Sequence, residues 1–143
     1  MSNLKVHVLR LKPGEDVVEK LKLYMTESAP RGVFVMTCCG SVTSATLRLA
    51  ANTEGVTNKV VKYSGHYEVL SLSGTISRGG FHLHICLGDH NGATVGGHVM
   101  GDLTVFTTME VVLGEALDTI LDRSHDPDTG FDELTLIKEP HPN

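Results

Sequence analysis

Apolar and polar residues alternate with a period of two through most of this 143-residue chain, and this pattern constrains the fold more than any other feature. Alternate side chains of a β-strand point to opposite faces, so the pattern is typical of strands that bury one face. Strands are predicted within 81–102 and in the segments 4–11, 33–40, 44–50, 58–63, 66–77, 102–113 and 131–138.

One long segment has a helical period instead. The residues "PGEDVVEKLKLYMTESA" (13–29) begin with helix-start signals, and Pro30 follows as a stop. The apolar side chains repeat every three or four residues and share one side of the predicted helix. They are Val17, Leu21, Tyr24 and Met25.

The segment "GEALDTILDRSHDPDTG" (114–130) is ambiguous. We expect a turn at Asp126, Pro127 and Gly130, and a short helix before it is an open alternative. One main helix against many strands predicts an α+β fold, with a mostly antiparallel β-sheet packed against that helix. No linker or repeat interrupts the chain, so a single domain is expected over residues 1–143.

The charge of the chain limits the partners it is expected to bind, and its cysteine content indicates the cell compartment in which it is expected. Twelve Lys and Arg residues against 17 Asp and Glu residues give a net charge of −5, which argues against direct binding of nucleic acid. The first residues resemble neither a signal peptide nor a membrane span. Cys38 and Cys39 are neighbours and the cysteine total is three, so we expect no disulfide framework. An intracellular, cytoplasmic location is predicted, with the nucleus left open.

The segment "FHLHICLGDHNGATVGGHVMGD" (81–102) holds the candidate site. In a strand, His82 and His84 share a face, and the alternate apolar residues face the core. The histidines therefore point to solvent or to a partner subunit. Cys86 shares their face, but we expect it to be a small core or interface residue.

The position of His98 depends on the loop that joins the two strands. A two-residue turn at Asn91 and Gly92 places His98 on the wrong face, whereas a three-residue loop over 90–92 places it directly opposite His84. Gly96 and Gly97 are a possible source of a register shift. In the second register, opposed Cβ atoms lie about 4.5–5.5 Å apart, within reach of a shared ion.

Three neutral imidazoles with an open fourth position suit a divalent metal ion, zinc above all. The alternative is that His82, His84 and His98 only hydrogen-bond to water. The remaining histidines have no partner at a diagnostic spacing, and we expect them to be solvated; they are His7, His66, His90, His125 and His141.

Two carboxylates lie in otherwise apolar strands. Glu110, in "VFTTMEVVL", needs a partner and is either an ion-pair residue, a positioning group for a ligand histidine, or a base. Glu68, in "HYEVLSLSG", raises the same question and is a candidate interface residue.

Several segments together resemble the PPC domain, the plants-and-prokaryotes-conserved domain. They are "R-x-K-P-G-E-D-V", "GSVTSATLR", "GHYEVLSLSGTIS", "FHLHICLGDHNGATVGGHVMGDLTVFTTMEVVL" and "DPDTGFDEL", in this order. The resemblance implies a compact fold with an antiparallel sheet and a homotrimer. It also implies metal binding at the H-x-H and G-G-H positions, which are His82, His84 and His98 here.

In plants such domains follow an AT-hook, an Arg-Gly-Arg-Pro segment that this sequence does not contain. The chain therefore resembles the stand-alone microbial type, for which the resemblance implies no activity. Two further functions stay open. One is a metal-dependent hydrolase or lyase that uses metal-bound water, with Glu110 as proton carrier. The other is a regulatory module that binds a protein partner, with Glu68 at the contact.

Overall fold

The computed structural model describes residues 3–52 and 59–138. These residues form a β-sheet with one helix, together with a separate hairpin, as the α+β prediction required. The elements are β1 (Leu4–Leu11), α1 (Val17–Ser28), β2 (Val33–Arg48), β3 (Val60–Ser77), β4 (Gly80–Gly88), β5 (Thr94–Ala116), β6 (Thr119–Asp126) and β7 (Phe131–Lys138).

The main sheet has the strand order β1-β5-β2-β3-β4, and its strand pairs are antiparallel. The first part of β5 also pairs with β4, so β2, β3, β4 and β5 close on one another. The last part of β5 pairs with β1. This closure is what brings the start of β5 alongside β4, where the candidate site lies.

The strands are longer than the alternation predicts. The predicted strands 33–40 and 44–50 form one strand, β2, whose pairing with β3 shifts register between Val42 and Ser44. The segments 58–63 and 66–77 likewise fall in one strand, β3, although Asn58 lies outside the described residues. A local bulge bends a strand without ending it, and such a break in the alternation looks like a turn in the sequence.

The short helix that was an alternative for 114–130 is wrong. β5 runs to Ala116 and β6 begins at Thr119, so the segment is a strand, a tight connection and a second strand. The turn at Asp126, Pro127 and Gly130 is confirmed, since the Gly130 N–H donates to the Asp126 carbonyl at 2.8 Å. Leu121 is buried and its N–H donates to the Arg31 carbonyl at 2.7 Å, which attaches the hairpin to the connection between α1 and β2.

The helix begins after Asp16, whose side chain accepts a hydrogen bond from the Glu19 N–H at 3.0 Å. Its buried side chains are Val17, Val18, Leu21 and Met25. They join one core cluster with sheet residues such as Leu83, Leu87 and Leu113. Tyr24, at the edge of the predicted stripe, is only partly buried and packs against this cluster.

No helix within residues 3–52 and 59–138 is long and apolar enough to cross a membrane. Cys38, Cys39 and Cys86 are all free thiols. Burial raises the pKa of the Cys38 thiol to about 12, with a smaller contribution from the neighbouring Cys39.

Candidate metal centre

His82 and His84 lie on the outer face of β4. Both are exposed, whereas Leu83 and Ile85 at the alternate positions are buried in the core. The assignment of faces from the period-two pattern is therefore confirmed.

The β4–β5 connection is the three-residue loop. The Asp89 N–H donates to the Ala93 carbonyl at 2.9 Å, and Gly92 has φ +80°, in the left-handed region. The Asp89 carboxylate also accepts the backbone N–H groups of Asn91 and Ala93 at 2.8 and 2.9 Å, which fixes the loop. His98 consequently pairs directly with His84.

Gly96 and Gly97 do not shift the register between β4 and β5. A Cβ on Gly96 would lie 2.8 Å from the Ile85 carbonyl oxygen, and one on Gly97 would lie 2.8 Å from the Arg48 carbonyl oxygen. The two glycines thus allow β4 and β2 to approach β5 closely from opposite sides. This close approach positions His98 between the neighbouring strands.

The three imidazoles converge. The Nε2 atoms of His82 and His84 are 3.1 Å apart, and one ring nitrogen from each of His82, His84 and His98 lies within 4.8 Å of the others. Tetrahedral zinc with Zn–N distances of about 2.0–2.1 Å holds its nitrogen ligands about 3.3 Å apart. The cluster is therefore close to the size that such an ion requires.

The surroundings of His82 and His98 favour the neutral form of these two imidazoles. Burial, together with the nearby Arg48 guanidinium, lowers the pKa of His98 to about 4. Burial and the neighbouring His84 also lower the pKa of His82. Within the described ranges, His98 Nδ1 is buried without a hydrogen-bond partner. Metal ligation requires a neutral imidazole with a free lone pair, and His98 meets this requirement.

The β6–β7 hairpin lies beside the histidines and leaves open space next to them. A cavity of about 330 Å³ is lined by His82, His84 and Arg123, and one of about 280 Å³ by His82, His98 and Arg123. A small molecule can therefore reach the exposed side of the cluster.

Glu110 lies away from these histidines. It is exposed on β5, opposite Arg10 of β1 and twelve residues after His98. Among the described residues, the group whose ligand atoms meet at the cluster consists of His82, His84 and His98 and does not include Glu110. The geometry gives no support for Glu110 as a positioning group or a base at the three-histidine cluster.

Glu68 is exposed on β3 and lines a separate cavity of about 160 Å³. The ring of His66 stacks on Phe106 in the same cavity, with ring centroids 3.8 Å apart. Cys86 is partly buried opposite Gly96 and is not part of the histidine cluster.

The prediction that His7 is solvated is wrong. His7 is buried, its Nδ1 lies 2.9 Å from the Tyr24 hydroxyl, and its Nε2 lies 3.1 Å from a Glu115 carboxylate oxygen. The signal was present, because His7 occupies the same side of β1 as Leu9 and Leu11.

The other histidines are peripheral. His66 and His90 are exposed, and so is His125, whose Nδ1 lies 3.7 Å from Asp132. His141 lies outside the described residues.

Two relatives are similar to this chain over most of its length. A bifunctional protein GlmU from a Synechococcus species is 38% identical over 136 residues, which cover 95% of this chain and 21% of that protein. The AT-hook motif nuclear-localized protein 13 of Arabidopsis thaliana is 35% identical over 117 residues, which cover 76% of this chain and 26% of that protein. The chain therefore spans only about a fifth to a quarter of these relatives.

Two solved structures share the fold over nearly their whole length. A hypothetical protein from Salmonella is 33% identical, with a TM-score of 0.87 and 96% of both chains covered. A metal-containing protein from Archaeoglobus fulgidus is 28% identical, with a TM-score of 0.74, and the match covers 92% of this chain and 93% of that one.

The sequence profile of one domain family matches residues 1–117, which include β1 to β5, the helix and all three clustered histidines. This chain belongs to the Plants and Prokaryotes Conserved (PCC) domain family, the family that the sequence resembled.

Proposed function

We propose that this protein is a PCC-domain protein that binds a divalent metal ion, zinc in the first place, through His82, His84 and His98. The observation that carries the proposal is the convergence of one ring nitrogen from each histidine within 4.8 Å. The buried, unpartnered Nδ1 of His98 supports it, and so does the likeness to the metal-containing protein of Archaeoglobus fulgidus. The wider biochemical role stays unassigned.

Each strand contributes a distinct part of the proposed site. β4 supplies His82 and His84 from one exposed face, and the Asp89 loop sets the register that adds His98 from β5. Three protein ligands leave a fourth position for water or a ligand, and a bound divalent ion acts there as a Lewis acid. The cavities beside the cluster give such a ligand room.

The test is the metal content, by elemental mass spectrometry, of untagged protein purified without chelators. We expect close to one zinc or similar ion per chain, and loss of that ion in a His84→Ala, His98→Ala double variant. The matched control is a His90→Ala, His125→Ala double variant, because both of these histidines are exposed and lie outside the cluster. Equal metal content in the two double variants, or none in the parent, would contradict the proposal.

We further propose that the protein assembles as a homotrimer. Support comes from β1, which lies at one end of the strand order and carries Leu4, Val6 and Val8 with exposed fractions of 50%, 51% and 75%. A row of exposed apolar side chains is typical of a surface that another subunit covers.

Light scattering tests this assembly. We expect a mass of three times 15.4 kDa and dissociation in a Val8→Lys variant. A Leu23→Lys variant, at an exposed apolar position on the helix, should keep the parent mass. A monomeric parent at micromolar concentration would refute the homotrimer.

A second candidate function is that of an intracellular regulatory module with a protein partner. The exposed Glu68, in a cavity with stacked His66 and Phe106, favours it. A Glu68→Ala variant should weaken assembly or partner capture, and unchanged mass together with unchanged capture would count against this role. Direct nucleic-acid binding is not part of the proposal, given the net charge of −5.

A further inference from the structure

Two arginines flank the histidine cluster from different strands. Arg48, on β2, is the direct cross-strand neighbour of His98, and Arg123 reaches the cluster from β6. Both line the cavity of about 280 Å³ that His82 and His98 also line. Arg123 lies beyond residues 1–117, the segment that the family profile matches.

Arg123 is held in place by uncharged groups. Its Nη2 donates to the Thr75 hydroxyl at 2.8 Å, and its Nη1 donates to the Asp132 carbonyl at 3.1 Å. Thr75 is the direct cross-strand neighbour of His82, so these bonds fix the guanidinium beside the cluster. In the part of the chain that the structure describes, Arg123 Nε is buried without a partner. A buried N–H donor without a partner in a native fold indicates that a water molecule or an ion accepts its hydrogen bond.

Arg48 is likewise positioned without a carboxylate. Its guanidinium carbon lies 5.3 Å from the centre of the Phe131 ring on β7, a cation–π contact with the hairpin. Among residues 3–52 and 59–138, neither Arg48 nor Arg123 has an ion-pair partner. Neither guanidinium group is therefore in direct contact with a carboxylate among these residues.

Two carboxylates also line this cavity, but their oxygens have other partners. Glu133 accepts a hydrogen bond from the Thr129 hydroxyl at 3.0 Å, and Asp132 lies 3.7 Å from His125 Nδ1. Two negative charges balance the two arginines, so a divalent ion on neutral histidines leaves the cavity with an excess of two positive charges. An anionic oxygen ligand would neutralise this excess, and guanidinium groups bind such ligands well.

We propose that the cavity between the histidine cluster and the β6–β7 hairpin binds a small oxyanion, a carboxylate or a phosphate, whose charge is shared by the bound metal ion, Arg48 and Arg123. This inference rests on the proposed metal site and names the ligand class that the site takes. Its Arg123 component comes from the hairpin rather than from the matched family segment.

The experiment is isothermal titration calorimetry of fully zinc-loaded protein at constant ionic strength, with malonate and inorganic phosphate as separate probes. We expect saturable binding of at least one probe, and the probe that binds identifies the source of the oxyanion as a carboxylate or a phosphate. Arg123→Gln and Arg48→Gln should each weaken binding about tenfold, since each removes charge-assisted contacts. Lys22→Gln, which removes one positive charge from the helix, is the matched control and should bind as the parent does.

Zinc content is measured on every sample before titration, and this separates the two proposals. A zinc-loaded parent that binds neither probe, or arginine variants that bind as tightly as Lys22→Gln, overturns the oxyanion site and leaves the metal site standing. A parent that takes up no zinc overturns both. Because the hydrogen bonds of Arg123 support the hairpin, the free energy of unfolding of Arg123→Gln is compared with that of the parent by urea unfolding. Arg48→Gln tests the same site without removing those hydrogen bonds.

Discussion

The protein contains two histidine groups of opposite character. His7 is buried, and both of its ring nitrogens have partners, the Tyr24 hydroxyl and the Glu115 carboxylate. His82, His84 and His98 lie mainly on an outer sheet face, where they contact one another. The buried His98 Nδ1 has no hydrogen-bond partner among residues 3–52 and 59–138. The same residue type therefore occupies a satisfied site in one region and an unsatisfied one in the other.

The difference shows how to judge histidines in a sheet protein. An imidazole whose two nitrogens are already hydrogen-bonded has no lone pair to offer, so the His7 group should stabilise the fold and bind no metal. Imidazoles that meet one another without carboxylate or hydroxyl partners keep their lone pairs available. Proximity among histidines is therefore informative only together with the partners of each ring.

The largest expected effect on stability is at His7. A His7→Ala variant leaves Glu115 as a buried carboxylate without its partner, and we expect the free energy of unfolding to fall by about 3 kcal/mol. A His82→Ala variant of the metal-free protein should change it by less than about 0.5 kcal/mol, because this side chain is exposed. Urea unfolding in the presence of a chelator measures both. Similar losses of unfolding free energy in His7→Ala and His82→Ala would contradict the difference between His7 and the three-histidine cluster.

A smaller effect is expected at Tyr24. A Tyr24→Phe variant keeps the ring and removes only the hydroxyl that bonds to His7 Nδ1, so we expect a loss of about 1 kcal/mol. Tyr63→Phe is a suitable comparison, since this ring is partly buried against the core at a distance in sequence from His7. The metal content of Tyr24→Phe should equal that of the parent. A change in metal content would link the two groups and contradict their independence.

For His98 in the metal-free protein we expect a pH-dependent change in stability instead of a constant loss. Its folded-state pKa is about 4, below the ordinary value of 6.5. Between these values the unfolded chain binds a proton that the folded chain does not, so the free energy of unfolding falls as the pH is lowered through this window. A His98→Asn variant should show a shallower dependence, and His90→Asn should not. Equal slopes from pH 6.5 to 4 in all three proteins would show that His98 does not titrate as described.

Local rules predicted the core of the candidate site. Strand alternation assigned His82 and His84 to one face. Turn chemistry left two loops open, and one of them, the three-residue loop that follows Asp89, places His98 opposite His84 as the structure does. These features depend on residues within about twenty positions of one another. Gly96 and Gly97 were a possible source of a register shift, but they instead allow the neighbouring backbones to approach β5. This role could not be predicted from the sequence, because it depends on which strand lies on each side of β5.

Contacts between residues that are far apart in the sequence could not be predicted from the pattern of apolar and polar residues. His7 meets Glu115 across 108 residues, and Arg123 meets Thr75 across 48, so no spacing in the sequence links them. Arg123 lies within the segment 114–130, for which a short helix was an alternative because charged residues break the alternation there. The position of Arg123 beside the histidines thus follows from how the β6–β7 hairpin packs, and that of Arg48 follows from the pairing of β2 with β5.

Zinc-edge X-ray absorption spectroscopy of the zinc-loaded protein tests the three-histidine site most directly. We expect three imidazole nitrogens at about 2.0–2.1 Å from the ion, with the outer-shell scattering typical of imidazole rings, and an oxygen donor in the fourth position. A sulfur ligand at about 2.3 Å would assign the ion to a cysteine site instead. A shell of oxygen ligands without imidazole scattering would contradict the three-histidine site.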